Sequence, residues 1–249
     1  MNSDQKLVLC IFAAMENKAD VLVIAAHPDD AELGCAGTIL KMVSAGKKVV
    51  IADLTAGELG TRGTAETRRA EAEAASRILG LTARTNLRFR DGFFRAGEYE
   101  IRDLIRVIRM YQPEIVIANA PADRHPDHGK AGTLAKEASF LSGLTKIETR
   151  QEGILQAAWR PKRFFQYIQD QYIQPNFVID ISKWFPQKME AILAYKTQFY
   201  NPDSLEPETY ISNPAFLKSI EARARSMGQL IGVEYGEGFL SETPLAIHS

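Results

Sequence analysis

The chain has 249 residues, 45% of them hydrophobic and 24% charged, which is enough for one large globular domain with a sizeable core. Lys and Arg total 30 against 31 acidic residues, so there is no global field for holding nucleic acid or an anionic membrane surface. A small-molecule partner is the expectation. The two cysteines, Cys10 and Cys35, set up no disulfide framework and fit a reducing compartment.

Residues 1–18 read as a leader or extension. Leu7 to Met15 is apolar or small, but it falls well short of the ~20 residues needed to span a bilayer. Its flanks make a weak signal peptide. The expectation is a cytoplasmic protein with no membrane partner and a single domain over 19–249. Ala19 to Ala26 reads as a buried strand and Ala31 to Ser44 as a helix.

At their junction stands Ala26-His27-Pro28-Asp29-Asp30-Ala31-Glu32-Leu33-Gly34. A His and two Asp where a strand turns into a helix are poor material for a core and good material for a metal site with an adjacent base. Either Asp alone would read as a helix cap after a Pro-fixed turn. Both of them with His27 point to a metal. Gly34 and Gly37 permit close approach but complete neither a P-loop nor a dinucleotide fingerprint, which argues against an oxidoreductase of that kind.

Lys48 to Leu54 is a second strand, Thr55 to Thr64 a glycine-containing loop, and Ala65 to Leu79 a helix that Gly80 terminates. Asn86 to Arg90 is a strand. Glu98 to Met110 carries Ile101, Leu104, Ile105 and Ile108 at helical spacing. Glu114 to Ala118 is another buried strand, followed by the loop Asn119 to His125 and a helix from His128 to about Ser142. Strands alternating with helices predict an α/β, Rossmann-like three-layer fold with a mostly parallel sheet. After about residue 150, strands at Phe164 to Ile168 and Asn176 to Ile181 precede helices at Lys183 to Gln198 and Pro214 to Leu230. This C-terminal α/β extension either widens the sheet or forms a lid.

Asp123-Arg124-His125-Pro126-Asp127-His128 also follows an apolar strand directly. Loops at the carboxyl ends of parallel strands converge on one crevice, so the two clusters can meet. Three of the four histidines lie in them; the fourth, His248, is terminal. Hydrolysis of an unactivated amide uses a Zn²⁺ with three protein ligands and an open position, which lowers the pKa of water from 15.7 to about 7. It also uses a carboxylate base and a donor for the oxyanion. His27, Asp30 and His128 can supply the ligands, Asp29 the base, and His125 the oxyanion donor or general acid. The same ligand set can hold Fe²⁺. Asp127 reads as the orienter of a histidine, or a cap, rather than a ligand.

AHPDDAELG, the loop Thr55 to Gly63 and HPDH together resemble the LmbE/PIG-L family of zinc-dependent N-acetylglucosaminide deacetylases, over about residues 19–240. Within it the chain is most similar to the bacillithiol biosynthesis branch, which deacetylates N-acetylglucosaminyl malate. That likeness extends to Asp91-Gly92-Phe93-Phe94, Asn119 to Arg124 and Phe199 to Ser204. The resemblance implies the same ligands and base, His125 steadying the oxyanion, and Arg68 gripping the substrate. It also implies a homo-oligomer. Arg68 and Arg69 face different sides of their helix, so at most one enters the crevice. The competing readings are a related amidase on bacillithiol S-conjugates, a deacetylase of another GlcNAc compound, and a non-catalytic sugar- or metal-binding module. The last would have no use for Asp29 or His125.

Overall fold

The computed structural model describes residues 18–245. The expected leader (apart from Lys18), Cys10 and His248 lie outside the described residues. Strand β1 (Val21–Ala25) is buried along its whole length, and so is β2 (Val49–Thr55). Both read as near-continuous apolar runs because helices cover both faces of the sheet, as a parallel sheet requires.

Helix α1 (Asp30–Ser44) follows β1, and α2 (Ala65–Leu79) follows β2. Then come β3 (Ala83–Phe89), α3 (Glu98–Tyr111), β4 (Ile115–Asn119) and α4 (Pro126–Leu141). β1 pairs in parallel with β2 on one side and β4 on the other, and β3 adds outside β2. Leu22, Ile24, Val50 and Leu54 pack against Leu104, Ile105 and Ile108 of α3 and Leu134 of α4. Val21, Val23 and Ile51 face the other way, onto Ala31, Cys35 and Ile39 of α1. Burial of each Leu or Ile is worth about 1.5–3 kcal/mol, so alternate residues anchor the two helical layers to one sheet.

Past residue 141 come a short hairpin, β5 (Arg150–Gln151) and β6 (Ile154–Leu155), and then β7 (Arg163–Tyr167) and β8 (Phe177–Asp180). Helices α5 (Phe185–Leu193) and α6 (Pro214–Gln229) and strand β9 (Gly236–Leu240) complete the described chain. This region widens the sheet, whose order is β3-β2-β1-β4-β7-β9-β8. β7 joins β4 in parallel, and β9 runs antiparallel to both β7 and β8. The pattern of apolar residues does not predict β9, because its sequence GEGFL spends two positions on glycine. A Cβ at Gly236 would meet Val178 at 2.6 Å and one at Gly238 would meet Met227 at 2.9 Å, so close packing demands both.

The helix expected over 183–198 stops at Leu193. Beyond it the Tyr195 hydroxyl, the Thr197 hydroxyl and the Gln198 side-chain amide reach Glu32, Glu71 and the Arg62 carbonyl. The backbone there runs in turns, with the Tyr195 N–H on the Ile192 carbonyl and the Gln198 N–H on the Tyr195 carbonyl. Among the described residues no helix is long and apolar enough to cross a membrane.

Candidate active site

The strand order reverses between β1 and β4, and the crevice outside their carboxyl ends is where open α/β sheets bind ligands. β1 runs out into His27, and β4 runs out into the loop that ends at His125. Asn119, the last residue of β4, bridges the two ends by accepting the Ala26 N–H on Oδ1 at 3.0 Å. His27, Asp29, Asp30, Arg68, His125 and His128 all line one cleft of about 390 Å³.

Asp30 sits between two imidazoles, with Oδ2 3.5 Å from His27 Nδ1 and Oδ1 3.1 Å from His128 Nε2. Carboxylates hold the far ring nitrogens. His27 Nε2 lies 3.0 Å from Asp91 Oδ1 and 3.4 Å from Asp127 Oδ2, and His128 Nδ1 lies 2.7 Å from Asp123 Oδ2. Carboxylates behind imidazoles in this way fix ring orientation at metal sites. Burial opposes charge on His27, but hydrogen bonds to Asp127, Asp30 and Asp91 outweigh it and hold the imidazole well above its ordinary pKa. On His128 burial is likewise overcome, by Asp30 and Asp123, which carry the pKa up to about 9. A cluster so rich in carboxylate attracts positive charge. Its two imidazoles and one carboxylate fit a divalent cation.

Nitrogens of His27, His125 and His128 also fall within 4.8 Å of one another. His125 differs from the other two, because its Nδ1 already accepts the Asp127 N–H at 3.3 Å. When neutral it therefore carries its proton on Nε2. Burial and the neighbouring charges of His27 and His128 lower its pKa and favour that neutral form.

Asp29 stands at the N-cap position of α1 with no capping hydrogen bond from its side chain, at φ 116° and ψ −24°, a left-handed conformation that costs a non-glycine residue about 1–3 kcal/mol. Arg68 of α2 holds it there. Nη2 donates to Asp29 Oδ2 at 2.6 Å and to the Pro28 carbonyl at 2.9 Å. Gly57 makes room for this guanidinium, since a Cβ there would lie 2.2 Å from Nη1. Burial pushes the Asp29 carboxyl up to about 7, against the pull of Arg68.

The family pattern described as PIG-L, GlcNAc-PI de-N-acetylase, matches residues 22–139, the stretch that holds all six of these side chains. Diacetylchitobiose deacetylase of Thermococcus kodakarensis is 30% identical over 246 residues, covering 92% of this chain and 85% of that protein. The chain belongs to the PIG-L/LmbE family. It is a deacetylase, a hydrolase of amide C–N bonds. A probable N-acetyl-α-D-glucosaminyl L-malate deacetylase of Bacillus anthracis is 28% identical, covering 74% of this chain and 84% of that one. The crystal structure of a conserved protein from Thermus thermophilus superposes with a TM-score of 0.81 at 37% identity, covering 92% of this chain and 97% of that one.

This PIG-L/LmbE cleft also uses residues to which the sequence assigned no role. Gln169, just past β7, donates from Nε2 to Asp30 Oδ1 at 2.7 Å, and Asn119 Nδ2 lies 3.3 Å from Asp30 Oδ2. Asp91 Oδ2 accepts the Leu59 N–H at 3.0 Å and so ties the glycine-containing loop to His27. Asp91, Asn119 and Asp123 fall in segments that carry the family likeness; Gln169 leaves no signal beyond its place at a strand's carboxyl end. Asp127 Oδ2 lies 3.4 Å from His27 Nε2 and accepts the Gly92 N–H at 2.8 Å, and with Asp91 and His27 it forms a second group of ligand atoms within 4.8 Å of one another. Arg68 faces the cleft with its guanidinium engaged by Asp29, whereas Arg69 points to solvent beside Glu73. Arg62 is buried against Ser204 and Glu206, and Tyr195 reaches Glu32 rather than the cleft.

Proposed function

We propose that the chain removes the acetyl group from N-acetyl-D-glucosaminyl L-malate, the step that frees the glucosamine nitrogen in bacillithiol biosynthesis. The observation that carries the hydrolytic reading is the buried Asp29 carboxyl, poised near 7 beside the His27, Asp30 and His128 cluster. His27, Asp30 and His128 would hold the metal, Zn²⁺ on donor chemistry, with Fe²⁺ compatible with the same set. Such an ion supplies Lewis acidity and brings the pKa of water near neutrality.

The rest of the chemistry belongs to the chain's own side chains. Asp29 takes the proton from the attacking water, and Arg68 keeps its carboxylate aimed while that happens. His125 offers its Nε2 proton to the oxygen of the acetyl group as negative charge gathers there. Asp29 then returns its proton to the departing amine, which leaves as glucosamine nitrogen, with acetate as the other product.

Two observations support malate as the aglycone. The Bacillus anthracis relative is named for that substrate, and Arg124 lines the cleft with its Nε paired to Asp170 at 2.8 Å, which leaves the Nη groups to meet a substrate carboxylate. The Thermococcus kodakarensis relative is named for a neutral disaccharide instead. Acetate release on N-acetylglucosaminyl malate, diacetylchitobiose and a bacillithiol S-conjugate separates the alternatives. The malate conjugate is expected to give the highest kcat/KM; faster turnover of either other substrate overturns this assignment.

A further inference from the structure

Helix α1 is two helical pieces joined at a break. Cys35 has φ −148° and ψ 21°, outside the helical range. A break leaves carbonyls at the end of the first piece and N–H groups at the start of the second, and in a protein interior these need partners. The partners come from the C-terminal half of the chain. Lys188 of α5 donates from Nζ to the Leu33 carbonyl at 2.8 Å. Glu237 of β9 accepts the Gly37 N–H on Oε1 at 2.9 Å and the Thr38 N–H on Oε2 at 2.7 Å. The two side chains pair with each other at 2.6 Å, each only 3% exposed.

A buried ion pair adds little to stability, because desolvation of the two charges offsets their attraction. An unbroken helix would satisfy the same backbone groups with no charge buried at all. What the break changes is the aim of the first piece. That piece starts from Asp29 and Asp30 and closes its first turn with the Leu33 N–H on the Asp29 carbonyl at 2.9 Å. Lys188 therefore grips the far end of the very turn that displays the base. Neither Lys188 nor Glu237 lines the cleft, while Leu33 does.

We infer that Lys188 and Glu237 are positioning residues: they splice the broken helix α1 and thereby set the Asp29–Asp30 turn against Arg68 and His128. The inference rests on the roles proposed above for Asp29 and Asp30.

Glu237→Asp keeps the charge and withdraws the carboxylate by one methylene. It is expected to lower kcat by about tenfold or more, since sub-ångström to ångström misplacement of reacting groups carries losses of this order, with KM held within about threefold. It is also expected to release metal faster to a chelator. Val107→Ala, in α3 and packed on the cluster across the sheet from α1, serves as a destabilised control and is expected to keep native kcat below its Tm. Where Glu237→Asp fails to fold, Lys188→Met removes the grip on Leu33 and is expected to show the same split of kcat from KM. Native kcat and metal retention in these variants, or an equal kcat loss in Val107→Ala, overturns the inference. If Asp29→Ala loses turnover while Glu237→Asp keeps it, the splice alone fails. If Asp29→Ala keeps turnover, the reading of the site fails, and chelator release still reports on the splice.

Discussion

Up to the end of α4, the titratable groups of the candidate site come mainly in runs: His27, Asp29 and Asp30 at the end of β1, then Asp123, His125, Asp127 and His128 at the end of β4. Past residue 150 single side chains from separate elements brace those runs: Gln169 after β7 donates to Asp30, while Lys188 in α5 and Glu237 in β9 stand outside the cleft lining and hold the broken helix α1. The difference follows from the topology. Reacting groups have to lie within a few ångströms of one another, and only the carboxyl ends of adjacent parallel strands gather several at once. A supporting group needs one contact each, so any element packed behind the site can supply it. The proposed chemistry sits in the first half of the chain together with much of its support, Arg68, Asp91 and Asp123, and the second half adds single contacts.

That division predicts a ladder of effects. His125→Ala removes the proposed oxyanion donor and is expected to cost about 10²–10³ in kcat with metal content unchanged. Steady-state kinetics beside metal analysis would show it. Gln169→Leu strips Asp30 Oδ1 of a partner in the second half and is expected to cost about 10–100-fold in metal affinity or activity, read by competition with a chelator. A loss at Gln169 as deep as that at His125 would break the contrast between the halves.

A smaller effect is a shift in pH dependence. In the proposed mechanism Asp29 works as a carboxylate, so activity is expected to fall as pH drops through its pKa. Burial raises that pKa and the Arg68 charge opposes the rise. Arg68→Met is therefore expected to move the acid limb of kcat/KM upward by about one unit or more. A limb that stays in place, or moves down, would mean that Arg68 does not tune Asp29.

The same contrast explains what could be read from the sequence. β1, β2 and β4 announce themselves as apolar runs because both of their faces are buried, and α2 ends at Gly80, which takes φ 67° as a C-cap glycine does. Five site residues, His27, Asp29, Asp30, His125 and His128, stand out because polar groups at the ends of apolar strands have no place in a core, whereas Arg68 is marked only by the family resemblance. β9 is hard to see because close packing puts glycine at two of its five positions, and the Glu, Phe and Leu that remain give no clear apolar alternation. Gln169 and Glu237 are hidden for another reason. A lone amide or carboxylate is ordinary in sequence, and only the fold shows that it ends on Asp30 or on a broken helix. The engagement of Arg68 by Asp29 is equally a fact of three dimensions, since Arg68 and Asp29 meet across two loops through the space that Gly57 leaves.

The central claim is that Asp29 is the base and no part of the metal's ligand set. Asp29→Ala, assayed for acetate release and for bound metal in the same preparation, tests it most directly. The account predicts native metal content with turnover lower by about 10²–10⁴. Near-native turnover, or loss of the metal together with turnover, would contradict it.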